Sequence, residues 1–318
     1  MFGKMLDSES NLSKQFLRAC QKGDLSQIRR LGSENIKDWS IIRHASSGDS
    51  PLHIAAREGN LEIVKSLCSD WKDQKCTIDV VNLEMKTALH EASQFSRTAV
   101  VEYLIEKGAN LNSLKRADWT PLMLACTKRG SEANSCVQAL LKANADLSIR
   151  NKDGWTAFHL ACRSGDINIV NLLLKYSPEC IEAGSKNGRN ALHIAAFHGC
   201  KPLIDLLVSK NSKLLDSRDS SGSAPLHESV KSKCFEATKS LIESGANIAA
   251  VDDAGQNILH IAASVGNREI VEYILESNLI DIQSEAQFQI TPLIAAERNS
   301  QHEIVKLLLK HEDKYKEI

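Results

Sequence analysis

One phrase recurs along this chain and constrains its fold more than anything else in the sequence. It reads SPLHIAA at 50–56, TALHEAS at 87–93, TPLMLAC at 120–126 and TAFHLAC at 156–162. It continues as NALHIAA at 190–196, APLHESV at 224–230, NILHIAA at 257–263 and TPLIAAE at 291–297. The equivalent positions Leu52, Leu89, Leu122, Phe158, Leu192, Leu226, Leu259 and Leu293 are separated by 37, 33, 36, 34, 34, 33 and 34 residues. Self-similarity at such a period means one supersecondary unit repeated in tandem. A single unit cannot bury its own apolar stripe, so stability must come from stacking on neighbours.

A second phrase follows each copy at a fixed offset: LEIVKSL at 61–67, AVVEYLIEKGANL at 99–111, VQALLKANADL at 137–147 and INIVNLLL at 167–174. KPLIDLLV, EATKSLIESGANI, REIVEYILES and HEIVKLLL take the same place later. Apolar residues fall there at i, i+3 and i+4, the stripe of a helix with one buried face. The first phrase therefore predicts helix A and the second helix B. Thr or Ser before helix A suits an N-cap, Pro suits the first turn, and small Ala residues let neighbouring helices approach closely. Gly59, Gly165, Gly199 and Gly266 stand between the helices, and Gly108 and Gly245 follow helix B, where a left-handed residue turns the chain.

A period near 33 residues with a T-P-L-H-x-A core resembles the ankyrin repeat. The expected fold is an all-α ankyrin-repeat solenoid of about nine helix-turn-helix repeats with short β-hairpin-like fingers. Residues 12–47 read as an N-terminal capping repeat and connection, because Phe16, Leu17, Ala19, Cys20 and Gly23 precede LSQIRRL without the T-P-L-H phrase. Residues 48–313 read as eight repeats starting near Gly48, Lys86, Asp118, Asp153, Asn187, Ser221, Ala254 and Phe288. The long first spacing places extra residues within SDWKDQKCTIDVV (69–81). The spacing of 36 places them at KRGSEANS (128–135), between helices A and B. The polar stretch HEDKYKEI follows Leu309.

Composition narrows the function class. At 42% hydrophobic and 25% charged, the chain of 318 residues is that of a soluble protein with a long core. No run of about 18 apolar residues and no amino-terminal export pattern is present, so no membrane anchor is expected. A net charge of -1 gives no bulk attraction to nucleic acid. Nine scattered cysteines without a CxxC pair, Cys76 among them, argue against a disulfide frame or zinc site and fit the cytoplasm or nucleus.

Chemistry is sparse. His53, His90, His159, His193, His227 and His260 all occupy the T-P-L-H position and are expected to tie neighbouring repeats together, since repeat spacing converges no two of them on a metal. His44, His198, His302 and His311 follow no pattern. No phosphate-binding glycine loop, paired-His metalloprotease motif or nucleophile elbow occurs, and Cys126 and Cys162 occupy a small packing position. The expectation is a protein that is not an enzyme and has no cofactor, no catalytic residue and no metal.

Two connections stand out: NSLKRADW (112–119) and SIRNKDGW (148–155). They predict neighbouring fingers carrying Lys115, Arg116, Arg150 and Lys152, with Lys186 and Arg189 from the next. Trp119 and Trp155 sit beside them. Arg and aromatic residues dominate interface energetics, so this set is the expected partner-binding centre. Packing of the two indoles between fingers, and plain solvation of the basic residues, fit the same pattern. Direct nucleic-acid binding is disfavoured by the absence of a basic excess and of interleaved aromatics.

LKRADWTPLMLACTK and RNKDGWTAFHLACRSGD together resemble the family of ankyrin repeat domain-containing protein sixteen. That resemblance implies an adaptor of the alanyl-tRNA synthetase catalytic domain that limits mischarging with serine by accepting misactivated serine on lysines. Lys152 matches one acceptor position. Another falls at Arg116 beside Lys115, and guanidinium is a poor nucleophile. A third falls near Glu182, with Lys186 the nearest lysine. The competing reading is a scaffold or substrate receptor that binds a peptide in the concave groove for signalling or ubiquitination.

Overall fold

The computed structural model describes residues 2–34, 36, 38–69, 78–277 and 280–316. Cys76 and most of the 69–81 connection lie outside the described residues. The chain divides into two compact units, Met1–Ser177 and Pro178–Ile318. Among the described residues the regular structure is helical, with two isolated bridges, Lys115 to Trp119 and Ala286 to Ile290.

In the first unit, α1 (Phe2–Lys22) and α2 (Leu25–Glu34) form the cap and a 3-10 turn follows at Trp39–Ile41. The A/B pairs are α3 (Pro51–Glu58) with α4 (Leu61–Ser69), α5 (Ala88–Gln94) with α6 (Thr98–Glu106), α7 (Pro121–Ala125) with α8 (Ser131–Lys142), and α9 (Ala157–Ser164) with α10 (Ile167–Tyr176). The second unit opens on a 3-10 turn, Pro178–Glu182. It then pairs α11 (Ala191–Phe197) with α12 (Lys201–Lys210) and α13 (Pro225–Lys231) with α14 (Phe235–Glu243). It ends with α15 (Ile258–Val265) and α16 (Arg268–Ser277), then α17 (Pro292–Arg298) and α18 (His302–Lys316), which carries the polar residues 311–316 as helix.

The repeated phrase explains each A helix. Its first residue caps the helix, with a side chain in most copies: the Oγ of Ser50 accepts from the His53 amide, Thr120 does the same for Met123, and Asn190 and Asn257 serve α11 and α15. The alanine five residues on (Ala55, Ala92, Ala125, Ala161, Ala195, Ala262, Ala296) is fully buried, so consecutive A helices within each unit pack at close range. The phrase leucines Leu52, Leu89, Leu122, Leu192, Leu226 and Leu259 are buried beside them, each worth roughly 1.5–3 kcal/mol of transfer free energy. Gly59, Gly165 and Gly266 end their helices in the left-handed region, as the sequence predicts.

The spacing of 36 resolves differently from the loop expected of it. Residues 131–135 of KRGSEANS are the first turns of α8, so most of the insertion is helix and only Lys128, Arg129 and Gly130 remain in the connection. Gly130 donates its amide to Asp166 Oδ2 at 2.9 Å, which fixes that turn to the next repeat.

Candidate functional site

Three turns of the first unit, at 82–86, 115–119 and 151–155, are the fingers that carry the predicted centre. Each closes on itself: Asn82 donates to the Lys86 carbonyl at 3.0 Å, Lys115 to that of Trp119 at 3.0 Å, and Asn151 to that of Trp155 at 2.9 Å. The fingers are also joined tip to tip. Leu83 donates to Ser47 O at 3.1 Å, Arg116 to Glu84 O at 3.0 Å, and Lys152 to Ala117 O at 3.1 Å. Backbones bonded this way run about 5 Å apart, as strands do. Arg116 and Lys152 are thereby brought to adjacent tips.

Their side chains differ in freedom. Arg116 and Lys152 are exposed, whereas Lys115, Trp119 and Trp155 are half-buried. The Lys115 ammonium lies 5.4 Å from the Trp119 ring centroid. Burial, helped by the charge of Lys86, lowers its pKa against the opposing pull of Glu84 and Glu91. Trp155 packs between its own repeat's Arg163, 5.9 Å away, and His159, 6.1 Å away, so part of that indole serves the packing role. Arg150 is exposed and donates to Gly154 O at 2.9 Å, clamping its own finger.

Lys186 and Arg189 belong to the second unit. Lys186 is exposed. Arg189 pairs with two buried carboxylates, Asp219 at 3.3 Å and Glu228 at 2.9 Å, so its guanidinium is held inside that unit.

The six phrase histidines are fully buried. In each, Nδ1 accepts the amide of the residue that caps its own helix, for example Thr87 N at 3.1 Å and Thr156 N at 3.2 Å. An Nδ1 that accepts leaves the proton on Nε2, and in four of the rings that proton goes to a carbonyl of the following repeat. His53 reaches Lys86 O at 2.7 Å, His90 Trp119 O at 3.0 Å, His193 Ser223 O at 2.9 Å and His260 Ile290 O at 3.0 Å. Burial lowers the pKa of His53, His193, His227 and His260, and takes His90 down to about 4. These rings are structural ties, and His90 fixes the base of the Trp119 finger to α5.

Two features went unread in the sequence. The first is a glutamate in TALHEAS and APLHESV where the other copies carry Ile, Leu or Ala. Glu91 is 1% exposed and sits between Arg57 of the preceding repeat, at 2.9 Å, and Lys86, at 3.3 Å. Arg57 also holds Asp49 at 2.7 Å. Burial pushes Asp49 up, but hydrogen bonds from Asn82 and Arg57 outweigh it and hold its carboxyl below the usual range. Glu228 repeats the arrangement with Arg189 and Lys231. The second is backbone strain. Where other fingers place Gly154, Gly188, Gly222 or Gly255 at positive φ, these place Met85 (φ 61), Ala117 (φ 66) with Asp118 (φ 62), and Phe288 (φ 61) with Gln289 (φ 54).

No group of three or more His, Cys, Asp or Glu side chains is arranged to hold a metal among the described residues. Among them, too, no helix is long and apolar enough to cross a membrane.

The sequence matches the family described as "Ankyrin repeats (3 copies)" over residues 16–115, 112–181, 178–252 and 226–317. It is 37% identical over 132 residues to the B-cell lymphoma 3 protein homolog of Mus musculus, covering 40% of this chain and 29% of that one. It is 29% identical over 153 residues to the SH3 and multiple ankyrin repeat domains protein 1 of Mus musculus, covering 48% and 7%. Against the transient receptor potential cation channel subfamily A member 1 of Drosophila melanogaster it is 26% identical over 160 residues, covering 50% and 13%. The chain spans less than a third of the length of each of these relatives.

Proposed function

The chain belongs to the ankyrin-repeat family, and we propose that it is a non-enzymatic adaptor whose fingers at 82–86, 115–119 and 151–155 hold an acidic segment of a partner protein in a scaffold or signalling assembly. The observation that carries this reading is the tip-to-tip hydrogen bonding that sets Arg116 and Lys152 on adjacent tips, with no carboxylate paired to either among the described residues. Each exposed ion pair formed there contributes only about 0.2–1 kcal/mol, so affinity must also come from apolar burial. Leu83, Met85 and Leu114 are exposed on the same fingers and supply it.

Strain supports the same location. Holding Met85 or Ala117 in the left-handed region costs roughly 1–2 kcal/mol that a glycine would avoid. Such residues persist where their side chains or the shape they impose are used.

The test is affinity purification from native cells, comparing the wild type with a triple variant Lys115→Glu, Arg116→Glu, Lys152→Glu. Specific partners should be lost from the variant. An unchanged set of recovered proteins removes the finger surface from the account.

A second reading draws on the half-buried position of Lys115 beside the Trp119 ring, where burial lowers its pKa and leaves more free amine than an exposed lysine has. In this reading the chain attends the alanyl-tRNA synthetase catalytic domain. The Lys115 nitrogen attacks the carbonyl carbon of an activated seryl group, an amide bond forms, the activating group leaves and the surplus proton passes to water. Lys115 rather than Lys152 or Lys186 is the acceptor under these conditions. Mass spectrometry after incubation with the synthetase, serine and ATP checks it, and the absence of a seryl mass on Lys115 rejects it.

A further inference from the structure

A groove of about 990 Å³ lies at the amino-terminal end of the first unit, bounded by α1, Ile36, the segment 38–45 and α3. Its floor is aliphatic: Leu17, Ile36, Ile42 and Ile54 present their edges, and Ile41 projects at the rim, 75% exposed. The wall is fixed rather than loose. Trp39, 1% exposed, donates its indole N–H to Leu67 O of α4 at 3.0 Å, and Asp38 caps the 3-10 turn by accepting from Ser40 N at 2.7 Å.

The rim is positively charged. Lys14 and Arg18 stand one turn apart on the same face of α1, both exposed and neither paired with a described carboxylate. Arg43 adds a third cation, held in place by the carbonyls of Ser40 and Ile42. Among the described lining residues the one carboxylate is Asp38, already engaged as a cap.

We propose that this groove is a second docking site, for an acidic segment of a partner protein that places aliphatic side chains on the floor and carboxylates against Lys14 and Arg18. Aliphatic contact supplies the affinity, and the cations set orientation and exclude basic sequences. A concave, recessed floor receives side chains from a threaded segment. A bilayer would require a projecting apolar face, which Ile41 by itself does not form. The site shares no lining residue with the fingers at 82–86, 115–119 and 151–155, so variants can test it apart from them.

The test uses the full chain, immobilised, and a phage-displayed library of random peptides. Enriched peptides, resynthesised with fluorescein, are measured by anisotropy against the wild type, Ile41→Asp, and the double variant Lys14→Glu, Arg18→Glu. All three positions are exposed, so these variants keep the fold, as circular dichroism verifies. The expected result is enrichment of Asp/Glu-rich peptides with Leu, Ile or Val, weakened about tenfold or more by either variant and by raised salt, and unaffected by Lys152→Glu. Enrichment of neutral or basic peptides, no enrichment, indifference to both variants, or charge-dependent capture of anionic vesicles instead of peptides would each overturn the proposal.

Discussion

Replacing His90 with methionine should flatten the acid sensitivity of this protein. Met123 already occupies the equivalent position in the next repeat and is 1% exposed, so the side chain fits. The ring of His90 is neutral in the fold, with a pKa lowered from 6.5 to about 4 by burial, and it regains the ordinary value on unfolding. The unfolded chain therefore binds one more proton in the window between those values. Stability is fully present above pH ~6.5 and is lost as the pH falls toward ~4. The whole window is worth about 3 kcal/mol at 1.36 kcal/mol per unit, and about 2 kcal/mol of it accrues between pH 7 and pH 5. Urea unfolding followed by circular dichroism at those two pH values measures it. At pH 7 the variant is weaker by roughly 1–3 kcal/mol, because the Trp119 carbonyl loses its donor. Its further loss at pH 5 should be smaller than the wild type's by about 2 kcal/mol. Equal losses in the two proteins would refute the assignment of a neutral, buried ring.

Ala224 caps α13 without a side-chain oxygen, and only its amide bond to His227 Nδ1, at 3.1 Å, remains of the usual exchange. Ala224→Ser should therefore stabilise the chain by about 1 kcal/mol in the same urea assay. Gly222→Ala should cost more than about 1 kcal/mol, since φ is 71° and the new Cβ would meet Asp253 N at 2.8 Å. Met85→Gly, by contrast, should leave stability equal or higher while weakening partner capture, a combination that a purely structural role for Met85 would not give. Glu91→Leu supplies the apolar residue that most copies carry, and it leaves Arg57 partly exposed and able to rehydrate. It should cost less than the roughly 3–5 kcal/mol typical of breaking a fully buried pair.

The helix pairs, their caps, their terminal glycines and the ring-to-carbonyl ties of His53, His90, His193 and His260 were legible in the sequence, because each depends on residues within one repeat or one period apart. The finger set was legible to the extent that Arg116 and Lys152 meet, for the same reason. Arg189 was misjudged as an open cation because its two carboxylates lie 30 and 39 residues on, in a geometry that spacing alone does not give. The extra turn of α8 was read as loop, since an insertion has no period to mark it as helix. Met85 and Asp118 stand where an alignment of fingers puts glycine. NLEMK set against NKDGW carried that signal, and it was passed over in favour of charge. Glu91 and Glu228 were also visible as single departures from an apolar column, but their meaning depended on Arg57 and Arg189.

A chain assembled from near-copies of one module faces an identity hazard while it folds: any copy offers much the same leucine and alanine surface as any other, and the wrong neighbours can dock. Glu91 and Glu228 act against that ambiguity. A copy bearing either acid, set beside a segment without Arg57 or Arg189, would leave a buried carboxylate with only its own repeat's Lys86 or Lys231, so the misordered assembly is disfavoured. Two letters among hundreds thus serve as alignment marks for the sequence of the modules.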